Sequence, residues 1–235
     1  MLASDRASGG PSDFVPVRTR FFDDLVTAEA MYVDQVVLLG AGFDTRAYRM
    51  QLPERLAWFE LDDAPLLDEK ERVLAAAGAF PICRRLPVPA DVTGDWRERL
   101  AGFGFAAGGR TLWLAEGLLF YLGPDVVAAM LAEARRLSGP GSLFAADVSG
   151  TGLVRAAGMA AYLLARSSRK LPPPFATDDP AGLFRGAGWP QVDLFEPGPL
   201  ARQYGRPMRV SGTRSRLGAS DPTMRTYFVV ARSGE

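Results

Sequence analysis

The stretch QVVLLGAGFDTRAYRM, Gln35 to Met50, decides how this chain folds. Its apolar run, Val36-Val37-Leu38-Leu39, reads as a strand buried on both faces, as in a parallel sheet. The run ends in Gly40-Ala41-Gly42, where missing side chains let the backbone approach a ligand closely. A helical segment follows Asp44 and Thr45. A second strand-like run, Leu56 to Leu61, ends at Asp62, twenty residues beyond Gly42. Strand, glycine turn, helix, strand and acid, in that order, is a layout that binds a nucleoside through its ribose.

The turn also speaks to which nucleoside. A pyrophosphate asks for a third glycine so that the helix N-terminus can come close. Counted from Gly40, that place holds Thr45. S-adenosylmethionine carries an adenosine and no phosphate, so it needs the turn and the acid but not the third glycine.

Outward from this unit, strands alternate with helices. Strands are expected near 35–40, 56–61, 83–88, 110–115, 142–147, 191–196 and 226–232. Helices are expected over 20–33, 44–50, 65–77, 94–101, 124–137, 153–169 and 179–187. Such alternation demands a mostly parallel, doubly wound α/β sheet with helices on both faces. The last strand follows the sixth without a long helix, so it is expected to run antiparallel, giving seven strands. Residues 1–16 read as a flexible tail around Ser8-Gly9-Gly10-Pro11-Ser12, and 17–235 as one domain.

Composition narrows the field. The chain has 235 residues, 27 basic and 27 acidic, with a formal net charge of zero. That balance excludes the electrostatic footprint of a nucleic-acid binder. No histidine is present and Cys83 is the only cysteine, which removes Cys/His metal sites and internal disulfides. Met1 to Val17 is polar and is not read as a signal peptide. The apolar stretch Leu153 to Ala165 is interrupted by Arg155 and is too short to span a bilayer. Together these point to a cytoplasmic protein without membrane partners.

Four motifs, Arg18-Thr19-Arg20-Phe21-Phe22-Asp23-Asp24, GAGFDTRAYRM, FELDDAP and TLWLAEGLLFYL, closely resemble the leucine carboxyl methyltransferase family. The likeness is strongest to its bacterial, polyketide-type branch of S-adenosylmethionine-dependent O-methyltransferases, with roles in secondary metabolism. It implies a class I methyltransferase fold and S-adenosylmethionine as cofactor. It further implies that Gly40 and Gly42 lie in the cofactor turn and that Asp62 holds the ribose hydroxyls. Asp91 and Val92 would flank the adenine, and Glu116 would face the methionine part. Either Arg18 or Arg20 would meet the cofactor's carboxylate. The family's long helical N-terminal lid has only about thirty-five residues here to correspond to it, so the lid is expected to be short, supplied differently or absent.

Methyl transfer from a sulfonium is an in-line displacement, in which the protein binds, orients and excludes water. A hydroxyl acceptor normally wants a base, often histidine, which this chain lacks. The choices are a carboxylate acceptor, already ionised at neutral pH, an acidic phenol, or a carboxylate base such as Glu116. The leading expectation is a small acidic or phenolic acceptor. Tyr121 reads as a wall of the acceptor pocket or as core, and 151–170 as its cover or as plain scaffold. Asp44 reads as a helix cap or as part of the site. Arg202, Arg206, Arg209, Arg214 and Arg216 read as a solvated loop or as an anion-binding edge. Beside the methyltransferase reading stand a cofactor-assisted cyclase or decarboxylase and a non-catalytic, cofactor-binding partner subunit.

Overall fold

The computed structural model describes residues 14–94, 96–206 and 222–234. The central strands are those with unbroken apolar runs, Val36–Leu39 and Leu112–Ala115, each preceded by one buried polar residue, Gln35 or Thr111. β1 (Gln35–Leu39) and β4 (Thr111–Ala115) are buried throughout. Around them lie β2 (Ala57–Asp62), β3 (Arg84–Pro89), β5 (Leu143–Ser149), β6 (Gln191–Phe195) and β7 (Thr226–Arg232). The sheet order is β3-β2-β1-β4-β5-β7-β6. β1 to β5 pair in parallel, and β7 runs antiparallel between β5 and β6, as expected.

Alternation along each strand divides the apolar residues between two cores. Val37, Leu39, Phe59, Trp113 and Phe144 face one side, with Leu131 of α5 (Pro124–Leu137) and Phe184 of α8 (Pro180–Gly186). Val36, Leu38, Trp58, Leu112 and Ala145 face the other, with α1 (Phe14–Glu29), α2 (Arg46–Arg49) and α9 (Pro197–Gln203). α3 (Ala64–Ala76) and α4 (Trp96–Gly102) complete the crossovers flanking β3.

Four local expectations are corrected. The helix expected over 20–33 begins at Phe14 and ends at Glu29, so residues 14–16 belong to it. Its stripe of Val17, Phe21, Phe22 and Val26 is buried, and Phe21 stacks on Phe228 of β7 at 4.9 Å. Aromatic packing thus extends a helix that propensity alone leaves undefined. The rest of the expected tail, residues 1–13, lies outside the described residues. The helix expected over 44–50 has only four residues, because Met50 is already extended. The helix expected over 153–169 is broken into α6 (Thr151–Arg155) and α7 (Ala160–Ser168), with Ala156 extended between them and Gly158 in a 3-10 turn. α9 occupies the start of the segment expected as an arginine loop, with Pro197 in its first turn and Ala201 buried against the second core. Arg202 and Arg206 lie in and just after α9; Arg209, Arg214 and Arg216 lie outside the described residues.

One charge is buried deep in the sheet. Glu60 of β2 is fully buried and its Oε2 accepts from Lys70 Nζ and Arg85 Nη2, each at 2.7 Å. Arg85 also pairs with Glu71. The cluster ties α3 to β2 and β3. Removing one partner of such a buried set strands the remaining charges, which costs about 3–5 kcal/mol. Glu60→Ala is expected to lower unfolding stability by about that amount, read as a fall in the urea midpoint at unchanged slope. A shift of only a few tenths would show that Lys70 and Arg85 are solvated. Cys83, just before β3, is buried as expected of a core residue, and burial pushes its thiol up to about 11.

Candidate cofactor cleft at the carboxyl ends of β1 and β4

From β1 the chain passes to β2 on one side, and β4 lies on the other. The strand order therefore reverses between β1 and β4, where open α/β sheets bind ligands. A cleft of about 470 Å³ opens there, between the turn after β1, the end of β4 and α1.

The turn is shaped by its glycines. Gly40 and Gly42 have φ of 65° and 50°, which side chains strain to adopt. A Cβ on Gly40 would lie 2.9 Å from Leu118 Cδ1, whereas one on Gly42 would project into open space. Gly42 lines the cleft. Its N–H donates to Asp62 Oδ2 at 2.7 Å, while Asp62 Oδ1 accepts from the N–H of Asp63 at 2.8 Å. The acid at the end of β2 thus braces the glycine turn.

The floor of the cleft is a chain of ion pairs centred on Arg46, whose guanidinium is almost wholly buried. Its Nε donates to Asp23 of α1 at 2.7 Å, Nη1 to Asp44 at 2.5 Å, and Nη2 meets Glu116 Oε2 at 2.7 Å. Burial works against the charge on Arg46, but Asp44, Glu116 and Asp23 together hold its pKa above the ordinary value. Asp44 also accepts from the N–H of Arg46 at 2.8 Å. It is not the N-cap, a position Thr45 occupies without a capping side-chain bond. Burial raises the Asp44 carboxyl against the pull of Arg46. At Asp23 burial also opposes ionisation, but Arg49 and Arg46 outweigh it and leave that carboxyl below its ordinary value.

Arg18 enters from α1. Its Nε donates to Glu116 Oε1 at 3.1 Å and its Nη1 to Asp147 Oδ2 at 3.3 Å. Arg20 does not reach the cleft: it is exposed, pairs with Asp24 at 2.7 Å and lies over the Tyr204 ring. Two residues apart on a helix, the two side chains face different directions, and only Arg18 faces the sheet. Asp147 at the end of β5 was not singled out by the sequence reading. The rule that picks out Asp62 and Glu116, an acid at the carboxyl end of a strand, finds it too. Arg46 and Asp23 carry no such signal, because a helix-borne arginine and aspartate read as surface.

The remaining expected residues are more dispersed. Asp91, past β3, lines a neighbouring hollow with Asp63 and Trp96, and its Oδ1 accepts from the N–H and hydroxyl of Thr93, both at 2.7 Å. Those bonds hold its carboxyl below the ordinary value. Val92 lines a separate hollow with Trp96 and Met130 rather than the one with Asp91. Tyr121 sits in a 3-10 turn, exposed, with its ring edge-on to Phe120. Phe120 stacks on Tyr162 of α7 at 5.7 Å, and Arg166 of α7 donates to the Tyr121 carbonyl at 3.1 Å. α7 is thereby fastened over the turn after β4.

Residues 3–135 match the sequence pattern of the leucine carboxyl methyltransferase family, described by that name. The chain belongs to the leucine carboxyl methyltransferase family. A presumptive S-adenosyl-L-methionine-dependent methyltransferase of Frankia alni is 40% identical over 201 residues, covering 83% of this chain and 67% of the relative. One of Streptomyces avermitilis is 39% identical over 198 residues, covering 83% and 68%. The chain thus spans about two thirds of the length of these relatives. Among solved structures, a DUF574 family protein of Streptomyces avermitilis superposes with a TM-score of 0.64 at 16% identity, covering 98% of this chain and 87% of the other. A presumptive methyltransferase of Thermobifida fusca gives 0.62 at 17% identity, covering 99% and 86%. Both share the class I methyltransferase fold.

The two arginines make a direct test. Arg18→Gln is expected to weaken S-adenosylhomocysteine binding by about tenfold or more, the scale of one charge-assisted bond. Arg20→Gln is expected to leave it within about twofold, as exposed pairs contribute little. Calorimetric titration decides, and the reverse order would remove Arg18 from the site.

Proposed function

We propose that this family member transfers the methyl group of S-adenosylmethionine to an oxygen of a small acidic or phenolic metabolite, with a carboxylate as the favoured acceptor. One observation carries the choice of acceptor. The chain has no histidine, and both oxygens of Glu116 are engaged by guanidinium groups, Oε1 by Arg18 and Oε2 by Arg46. A carboxylate so held is poorly placed to take a proton from a hydroxyl. An acceptor that arrives ionised needs no such transfer.

The residues of the cleft fit the cofactor. A turn open at Gly42 admits a nucleoside, and Asp62 beside it can accept from ribose hydroxyls while bracing the turn. Arg18 and Glu116 offer opposite charges to the carboxylate and ammonium of an amino acid. Asp91 and Val92 stand further along the same sheet edge, on the side assigned to adenine. When bound, the sulfonium supplies an electrophilic methyl group. The protein's own residues then bind, orient and keep water out. Tyr121, beside Phe120 and the fastened helix α7, forms the wall on the acceptor side. Among the described residues no helix is long and apolar enough to cross a membrane. A buried, unpaired Cys83 suits the reducing cytoplasm. The resemblance to the polyketide-type branch supports a place in secondary metabolism.

A carboxylate acceptor predicts a turnover that is flat from about pH 6 to 8 under saturation, because carboxylates titrate near 4. The product is expected to be a methyl ester cleaved by mild base. Glu116→Gln is expected to raise the KM for the cofactor more than it lowers kcat. A base-stable methyl ether, with kcat for Glu116→Gln down by roughly a hundredfold, would instead make Glu116 a general base.

A further inference from the structure

We infer that Asp147 is a positioning residue of the cofactor site, holding the Arg18 guanidinium in place for a ligand carboxylate. The inference rests on the reading that Arg18 meets the carboxylate of the cofactor. Arg18 reaches the cleft on a long side chain from α1, whose freedom is costly to freeze at the moment of binding. Three features of the protein hold it beforehand. Glu116 Oε1 accepts from Nε, Asp147 Oδ2 accepts from Nη1, and the face of the guanidinium lies against Gly117. A Cβ at Gly117 would come within 2.9 Å of Nη1 and Nη2, and its φ of 68° independently favours glycine. Asp147 makes that slot from both sides: its other oxygen, Oδ1, accepts from the Gly117 N–H at 2.5 Å. Nη2 has no acceptor among the described residues and is left for a ligand.

Both oxygens of Asp147 are thus committed, one to the backbone of the slot and one to the arginine within it. Burial raises its carboxyl, and Arg18 is the leading influence opposing that. Asp147 therefore acts through Arg18 rather than on the substrate. A residue that works this way affects only ligands that use Arg18, and only while Arg18 is present.

The test is a double-mutant cycle read by calorimetry, without turnover. The variants are Arg18→Gln, Asp147→Asn and the pair. The probes are S-adenosylhomocysteine and 5′-methylthioadenosine, which has the nucleoside and thioether but no amino-acid part. Asp147→Asn is expected to weaken S-adenosylhomocysteine by about fivefold or more, and by less than about twofold once Arg18 is Gln, as coupled contacts do. Binding of 5′-methylthioadenosine is expected to stay within about twofold in every variant. Gly117→Ala, which pushes on the same guanidinium, is expected to show the same selectivity and serves if Asp147→Asn does not fold. Unchanged S-adenosylhomocysteine binding in Asp147→Asn would overturn the inference. So would equal losses for both probes, or an undiminished loss in the Arg18→Gln background. If Arg18→Gln alone has no effect, the reading of Arg18 itself fails, which is a different result.

Discussion

The cleft depends on one buried guanidinium. Arg46 joins Asp23 on α1, Asp44 in the turn after β1, and Glu116 at the end of β4. Those three carboxylates come from three separate elements, and in water their mutual attraction to one arginine would be small. Out of water the balance changes. Each pairing is stronger, and each unpaired charge is expensive, so the set is stable only when complete. The consequence is structural: α1 cannot leave the sheet without breaking the buried Arg46–Asp23 pair, and with α1 comes Arg18. The geometry of the candidate cleft in this sense depends on a charge network as well as on the buried apolar stripe of α1.

The hydrophobic cores set the frame in which that network can form. Strands buried on both faces bring the ends of β1, β2, β4 and β5 to one edge, and Gly42, Asp62, Glu116 and Asp147 all lie there. Asp62 bonded to the Gly42 N–H couples the second strand to the first turn. At the other end of the cleft Asp147 couples the fifth strand to the Gly117 turn. Two carboxylates thus brace two positive-φ glycines, one at each limit of the space proposed for the cofactor. Each brace satisfies a backbone N–H that a helix or strand does not use.

What was legible in the sequence follows from the range of the forces involved. β1, β4 and α5 were readable because their patterns are local: unbroken apolar runs for the strands, and a proline start with helical periodicity for α5. The antiparallel β7 followed from a missing crossover. The start of α1 was not readable, because it depends on Phe14 and Phe21 meeting Phe228, more than two hundred residues away. The break between α6 and α7 escaped notice because alanine at 156 and 157 favours the helix that the structure interrupts. At the site, the glycine turn and the strand-end acids carried positional signals. The choice between Arg18 and Arg20 needed the helix phase, and the central place of Arg46 needed three carboxylates distant in sequence to be brought together.

The proposed function needs the adenosine of the cofactor to enter at the turn after β1, which is open at Gly42. Titration of the protein with S-adenosylhomocysteine, followed by the same titration of Gly42→Val, tests it most directly. A branched side chain there both strains a positive φ and fills the open space beside the turn. Saturable binding at one site per chain is expected, abolished in a Gly42→Val variant that keeps its circular dichroism spectrum. A folded variant that binds as tightly as the parent would contradict it.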